Sequence, residues 1–409
     1  MNERTKRLLA VAGFAVSVIG IGAALYVTFF RGAPPVEPGP TVPVLPPPDG
    51  TGGLIPGGPA GERPPGVVPE VPGVLPPSPV AQGGLTQTTP LTTGPVAQTT
   101  LAGDGRSVNY YDPADGRFYT IDADGNVRRL SDRAFPQVQT VEWNRTAEKA
   151  VLEFPDGSNI VYDFATQTQT SLPAHWEDFG FSPVRDELVT KSMALDPNNR
   201  WMVTVNADGS NARAFQALGN NADKVQVAWS PNDQVVAFSD TGGAQGAADR
   251  RMIIPVGKNQ ENFKGLIVEG YSFLPLWSTD GSKLVYSAAG SYSELRPLLW
   301  AVDGTPSTMG ENRRSLGLNT WADKCTFGAA NALYCAVPRD LPGNAGLMRS
   351  MFRSYPDLLY KVDLTTGRTF LLATPATDTT MENLKVSADE SELFYTNAAT
   401  GQLERIRLR

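Results

Sequence analysis

The stretch WSPNDQVVAFS, residues 229–239, decides how this chain is read. It recurs as WSTDGSKLVYS at 277–287 and, more loosely, as CTFGAANALYC at 325–335. Trp229, Trp277 and Cys325 then fall in register, 48 residues apart each time. Weaker copies start at Leu101, Trp143, Phe181 and Val386, which makes seven. Each copy ends a first strand in a large residue, turns through Pro, Asn, Asp or Gly, and enters an apolar second strand such as VVAFS (235–239) or KLVYS (283–287). Those turn residues supply tight-turn geometry, and the β-branched and aromatic residues suit a pleated, half-buried surface.

Further short strands follow each copy. RFYTID (117–122) is joined to NVRRLS (126–131) by a short polar turn, and LLYKVDL (358–364) to RTFLLA (368–373) by Thr-Thr-Gly. Four short strands per unit at a period in the forties is the mark of a β-propeller blade, an all-β fold in which blades bury one another's faces. Seven blades are expected, with six as the alternative if one copy is degenerate. The last copy has room for only three strands, so LTQTT (85–89) or VAQTT (96–100) should return to complete it. Closure of this kind removes exposed strand edges.

The pattern W-S-P-D/N-G/D…V-x-Y/F-S, followed by a DADG or NADG turn, resembles the TolB-type propeller repeat over about residues 95–409. The resemblance implies the fold. It implies no single activity, because such propellers serve as scaffolds, peptidase lids and adhesins.

Residues 1–7, MNERTKR, are basic, and Leu8 to Phe30 then run 23 positions without a charge. That length suits a membrane-spanning helix, and it exceeds the apolar core of a cleavable signal peptide. The reading is an uncleaved anchor at 8–30, with the cytoplasmic tip at 1–7 and the propeller exported, since Arg4, Lys6 and Arg7 outweigh Arg31. Residues 31–83 are dense in Pro and Gly and read as a stalk that reaches on the order of 100 Å if largely extended. The propeller is expected over 84–409.

Loop length carries the functional signal. The loop between the second and third strands opens on the same end of every blade. It is short in copies 1, 2 and 7 and long in copies 3 to 6, at 191–200, 240–251, 288–297 and 337–357. Loops on a rigid scaffold are where binding usually sits, although single surface insertions are also cheap to tolerate. Candidate contact residues are Arg250, Arg251, Tyr292, Arg296 and, in the longest insert, Met348, Arg349, Met351, Phe352, Arg353 and Tyr355. In GLMRSMFRSY (346–355), Leu347 and Met351, and Met348 and Phe352, are spaced i,i+4. This spacing predicts a short amphipathic helix that either docks a partner or packs down on the propeller.

Chemistry is sparse. The one histidine is His175, and no Gly-x-Ser-x-Gly elbow accompanies it. Asp-x-Asp-Gly at 122–125 reads as a hairpin turn rather than as calcium ligands. No cofactor or metal is implied. Cys325 and Cys335 sit symmetrically in one hairpin and in an exported domain read as a disulfide. The net charge of −7 argues against nucleic acid as a partner. Two functions remain. One is a membrane-tethered scaffold that binds a protein or a cell-envelope component through the loops of blades 3 to 6. The other is a hydrolase or lyase working in the central channel with carboxylates or His175.

Overall fold

The computed structural model describes residues 76–328 and 331–409, together with Gly20. The expected anchor and most of the stalk lie outside the described residues. Of the two units into which the chain divides, 1–71 and 72–409, the second is the one described here.

The described residues of 76–409 form seven separate sheets, one per sequence copy, antiparallel but for one added strand in blade 6. The fold is a seven-bladed β-propeller. The first strands of successive blades touch one another, as Ala97–Leu101, Thr140–Trp143, Trp176–Phe181 and Val225–Val227 do, so they ring a central channel. The third and fourth strands lie progressively outward.

The recurring motif has a physical reading. At the end of the first strand in blades 1, 2, 4, 5 and 7 a residue opens a tight turn by accepting from the backbone N–H three residues on, as Ser230, Ser278 and Ser387 do. The same side chains close the turn: the Ser230 hydroxyl accepts from Val235 N at 2.9 Å and the Ser278 hydroxyl from Lys283 N at 2.9 Å. Asn144 does this with its carboxamide oxygen, at 3.0 Å from Lys149 N. Gly281 within the turn has φ 71°, which glycine adopts without strain. The large residue just before the turn ties blades together. Trp277 Nε1 donates to Ala228 O of the preceding blade at 3.0 Å, and Trp143 Nε1 to Gln98 O at 2.9 Å. Phe118, fully buried, packs against Trp143 and Phe164 across the blade 1–2 boundary. A side chain buried this completely contributes roughly 1.5–3 kcal/mol.

Blade 6 departs from the gapless alignment. Gly328 N bonds to Ala332 O where the other blades have Ser278 N to Lys283 O. Phe327, not Cys325, therefore occupies the position of Trp277, and the turn after it is one residue shorter. The 48-residue spacing to Cys325 is a coincidence of sequence. The cysteines face each other in register and form a disulfide, as expected.

Ring closure comes from the N-terminal side. Thr89–Pro90 pairs antiparallel with Leu403–Arg407 as the fourth strand of blade 7. The rest of the expected closing segment goes elsewhere: Leu85–Thr86 pairs parallel with Thr369–Pro375 as a fifth strand of blade 6. The alternative segment, Ala97–Leu101, is the first strand of blade 1. Ala81 is buried in the core between blades 6 and 7.

Candidate functional site

The long loops of blades 4, 5 and 6 are stitched into one surface. Asp249 accepts from the Ser291 hydroxyl at 2.8 Å, linking blades 4 and 5. Arg296 Nε donates to Leu341 O at 2.7 Å, and Gly346 N to Leu295 O at 2.9 Å, linking blades 5 and 6. The loop of blade 3 closes on itself through Arg200 Nε to Ala194 O at 2.9 Å, and leaves Leu195 fully exposed.

The candidate residues are thus brought to one end of the ring, in different roles. Arg250 and Arg251 lie in a strand, Ala247–Gly257, rather than in an open loop, because residues 240–251 fold as a hairpin extension of blade 4. Arg251 pairs with Asp240 at 2.6 Å and Arg250 faces Glu269 at 3.9 Å. Tyr292 donates to Glu269 O at 2.6 Å and leaves its ring partly exposed against Trp300.

The expected amphipathic helix at 346–355 is not formed. Residues Ala345–Leu347 and Arg349–Phe352 are two separate single turns of tighter 3-10 winding. Three residues per turn replaces 3.6, so the i,i+4 pairs do not share a face. Leu341, Ala345 and Phe352 instead anchor the insert on Trp321, with Tyr355 packed edge-on to Phe352. Leu347, Met348 and Met351 stay exposed, Met351 at 66%. Neither arginine is merely solvated. Arg349 stacks over the Trp321 ring and pairs with Asp323, and Arg353 grips Glu382 through Nε and Nη2 at 2.9 and 2.6 Å.

These two ion pairs wall a cleft of about 440 Å³ on the same end of the ring, shared by blades 6, 7 and 1. Behind it, Lys324 Nζ meets Asp357 Oδ2 at 2.7 Å, both buried, and the same oxygen accepts from Met381 N at 2.7 Å. Burial pushes Asp357 up, while the Lys324 charge and hydrogen bond oppose it. Burial also pushes Glu382 up, but the Arg353 hydrogen bond and the charges of Arg353, Lys324 and Arg349 together outweigh this and hold the carboxyl low.

The channel holds a second feature, which the sequence reading missed. In the position just before the strand-end residue, the seven blades carry Thr100, Glu142, Gly180, Ala228, Leu276, Thr326 and Lys385. Only Glu142 and Lys385 are charged. They are half-buried and form no ion pair or hydrogen bond among the described residues. Burial pushes Glu142 up to about 8, with Asp178 adding to the shift and Lys385 opposing it. Burial pushes Lys385 down against the pull of Glu142. One blade-by-blade column would have displayed the pair, but the gapless register places Lys324 there in blade 6 and blurs it. His175 is exposed at the start of Trp176–Phe181, where its ring meets Trp176 edge-on.

No family model and no curated protein matches the chain. Solved structures do. An oligogalacturonate lyase in complex with manganese superposes with a TM-score of 0.56 at 15% identity, covering 79% of this chain and 93% of that one. The oligogalacturonate lyase of Vibrio parahaemolyticus gives 0.55 at 11% identity, with 79% and 93% covered. The Cps50 (Swd1) β-propeller domain of Myceliophteria thermophila gives 0.54 at 11% identity, with 79% and 100% covered. At such identity the likeness speaks to the fold alone.

Proposed function

We propose that this chain is an exported, membrane-tethered propeller of the TolB-like kind, and that it binds a protein or cell-envelope component through the stitched loops of blades 4 to 6, with blade 3 beside them. The observation that carries the reading is the placement of exposed large apolar side chains. Five of the twelve exposed large apolar side chains among the described residues, Leu195, Tyr292, Leu347, Met348 and Met351, lie on the long loops of one end of the ring, three of them within one insert. Exposed apolar side chains that cluster, as Leu347, Met348 and Met351 do, mark interaction surfaces, and flexible Met surfaces adapt to partners. The Cys325–Cys335 disulfide supports an oxidising compartment, and the uncharged run at 8–30 supports the tether.

The test is capture from envelope extract by the full-length protein beside a variant carrying Leu347→Ser, Met348→Ser and Met351→Ser. These substitutions spare Leu341, Ala345 and Phe352, which cover Trp321. A discrete partner retained by the parent and lost by the variant supports the reading. A partner retained by both contradicts it.

One observation favours the second reading, a channel enzyme. Glu142, held protonated near neutral pH, and the unpaired Lys385 are the kind of perturbed groups that acid–base chemistry uses. Full turnover by a Glu142→Gln, Lys385→Met variant, measured on any substrate found, would remove this support.

A further inference from the structure

The cleft over blades 6, 7 and 1 has properties that the apolar loop patch does not share. Its charges are already matched. Arg353 is committed to Glu382, Arg349 to Asp323 and Lys324 to Asp357. A charged ligand would have to compete with these pairs for its counter-charge, and would find no unpaired charge on the wall to answer its own.

What remains unused is neutral hydrogen-bonding capacity. Asn383 lines the cleft, is exposed, and makes no side-chain hydrogen bond. It sits at φ 53° in a bulge of Met381–Val386, and bulges of this kind re-aim a side chain. Thr396 also lines the cleft; it is buried and its hydroxyl has no partner. Seven buried side-chain polar atoms among the described residues lack a partner. One of them, the Thr396 hydroxyl, is on the cleft wall, while Trp321 and Asp357 lie behind it, in contact with Arg349 and Lys324. Buried polar groups are normally paired, so the Thr396 hydroxyl marks a place on the wall where a partner is missing. The capacity free at the wall is mixed: the Thr396 hydroxyl and the Asn383 carboxamide can each donate and accept.

From this we infer that the cleft binds a neutral, polyhydroxylated ligand, a short uncharged glycan chain, whose hydroxyls donate and accept beside the Arg353–Glu382 and Arg349–Asp323 pairs. The volume of about 440 Å³ falls in the range of small-ligand sites. A peptide is less well matched. The apolar part of the wall offers only small side chains such as Val96, Ala97 and Ala398, with no pocket for larger ones. The site is separate from the apolar patch: on the blade 6 insert, Arg349 and Arg353 serve the cleft while Leu347, Met348 and Met351 face water.

The experiment presents the full-length protein with short neutral hexose and N-acetylhexosamine oligomers, matching uronate oligomers, and short neutral peptides, with binding read by saturation-transfer NMR and calorimetry. Two variants accompany it. Asn383→Gly keeps the left-handed backbone and removes the carboxamide. Thr396→Val removes a hydroxyl that has no partner, so it should leave the melting temperature unchanged or higher while weakening binding. Each should weaken binding of the neutral glycan about tenfold, the effect expected for one lost hydrogen bond in a desolvated site. Preferential binding of uronates or peptides overturns the inference. So does failure of every neutral glycan, or equal affinity in both variants. The triple serine variant of the loop patch should bind glycan as the parent does, so the two proposals fail independently.

Discussion

The two ends of the ring are held together in different ways. At the end carrying the WSPND-type turns, turns such as those at Ser230, Ser278 and Ser387 are closed by their own side chains, within about five residues of sequence. At the opposite end, the long loops are held by bonds that cross from blade to blade: Asp249 to Ser291, Arg296 to Leu341, and Asp357 of blade 6 to Met381 of blade 7. Local closure repeats and is replaceable copy by copy. Cross-blade closure occurs once per contact, so each contact fixes a unique surface.

The sharpest break of this comparison is at Asp357. It is fully buried and ties the start of blade 6, through Lys324, to the start of blade 7, through Met381. Asp357→Ala should cost about 3–5 kcal/mol, because it strands the Lys324 charge, whereas Lys324→Met with Asp357→Leu should cost only about 1–3 kcal/mol, from the Met381 N–H left without its acceptor. Chemical denaturation of the three proteins measures this. A loss under 1 kcal/mol in the single variant would mean that the cross-blade tie is dispensable.

A second expected effect depends on pH. The Glu142 carboxyl binds its proton more tightly folded than its ordinary value of 4.5, up to about 8. The folded protein therefore holds an extra proton between those values, and the stability tied to it falls as pH rises through the window. Glu142→Gln should match the parent below the ordinary carboxyl range and melt higher than it above about 8. A difference that is constant with pH would place Glu142 in water.

The smallest effect belongs to the local end. Ser278→Ala removes one turn-closing acceptor and should cost about 1 kcal/mol, with the other six turns unaffected. Hydrogen exchange confined to blade 5 would show this. Loosening of neighbouring blades would show that the turns are not independent.

The same contrast explains what the sequence revealed. The seven copies, the blade architecture and the disulfide were legible because each is written within a dozen or so residues, as in Trp277 through Ser287 or Cys325 through Cys335. The blade 6 register was misread because its turn is one residue shorter, and nothing local says so. Arg349 and Arg353 fall in the stretch whose spacing predicts an amphipathic helix. Their actual partners, Asp323 and Glu382, come from chain segments that meet only in the closed ring. Glu142 and Lys385 are over two hundred residues apart in sequence and share a channel for the same reason. The closing strand was legible as a need, but its two residues, Thr89–Pro90, are too few to carry a strand signal.

The most direct test of the account is site-specific photo-cross-linking in living cells. A photoreactive phenylalanine analogue replaces Met351 on the blade 6 insert in one strain and Val127 on the outer edge of blade 1 in another, both positions being exposed. The account predicts one discrete cross-linked envelope partner from position 351 and none from 127. The same products from both positions, or a partner from 127 alone, would contradict the claim that the long-loop end is the docking face.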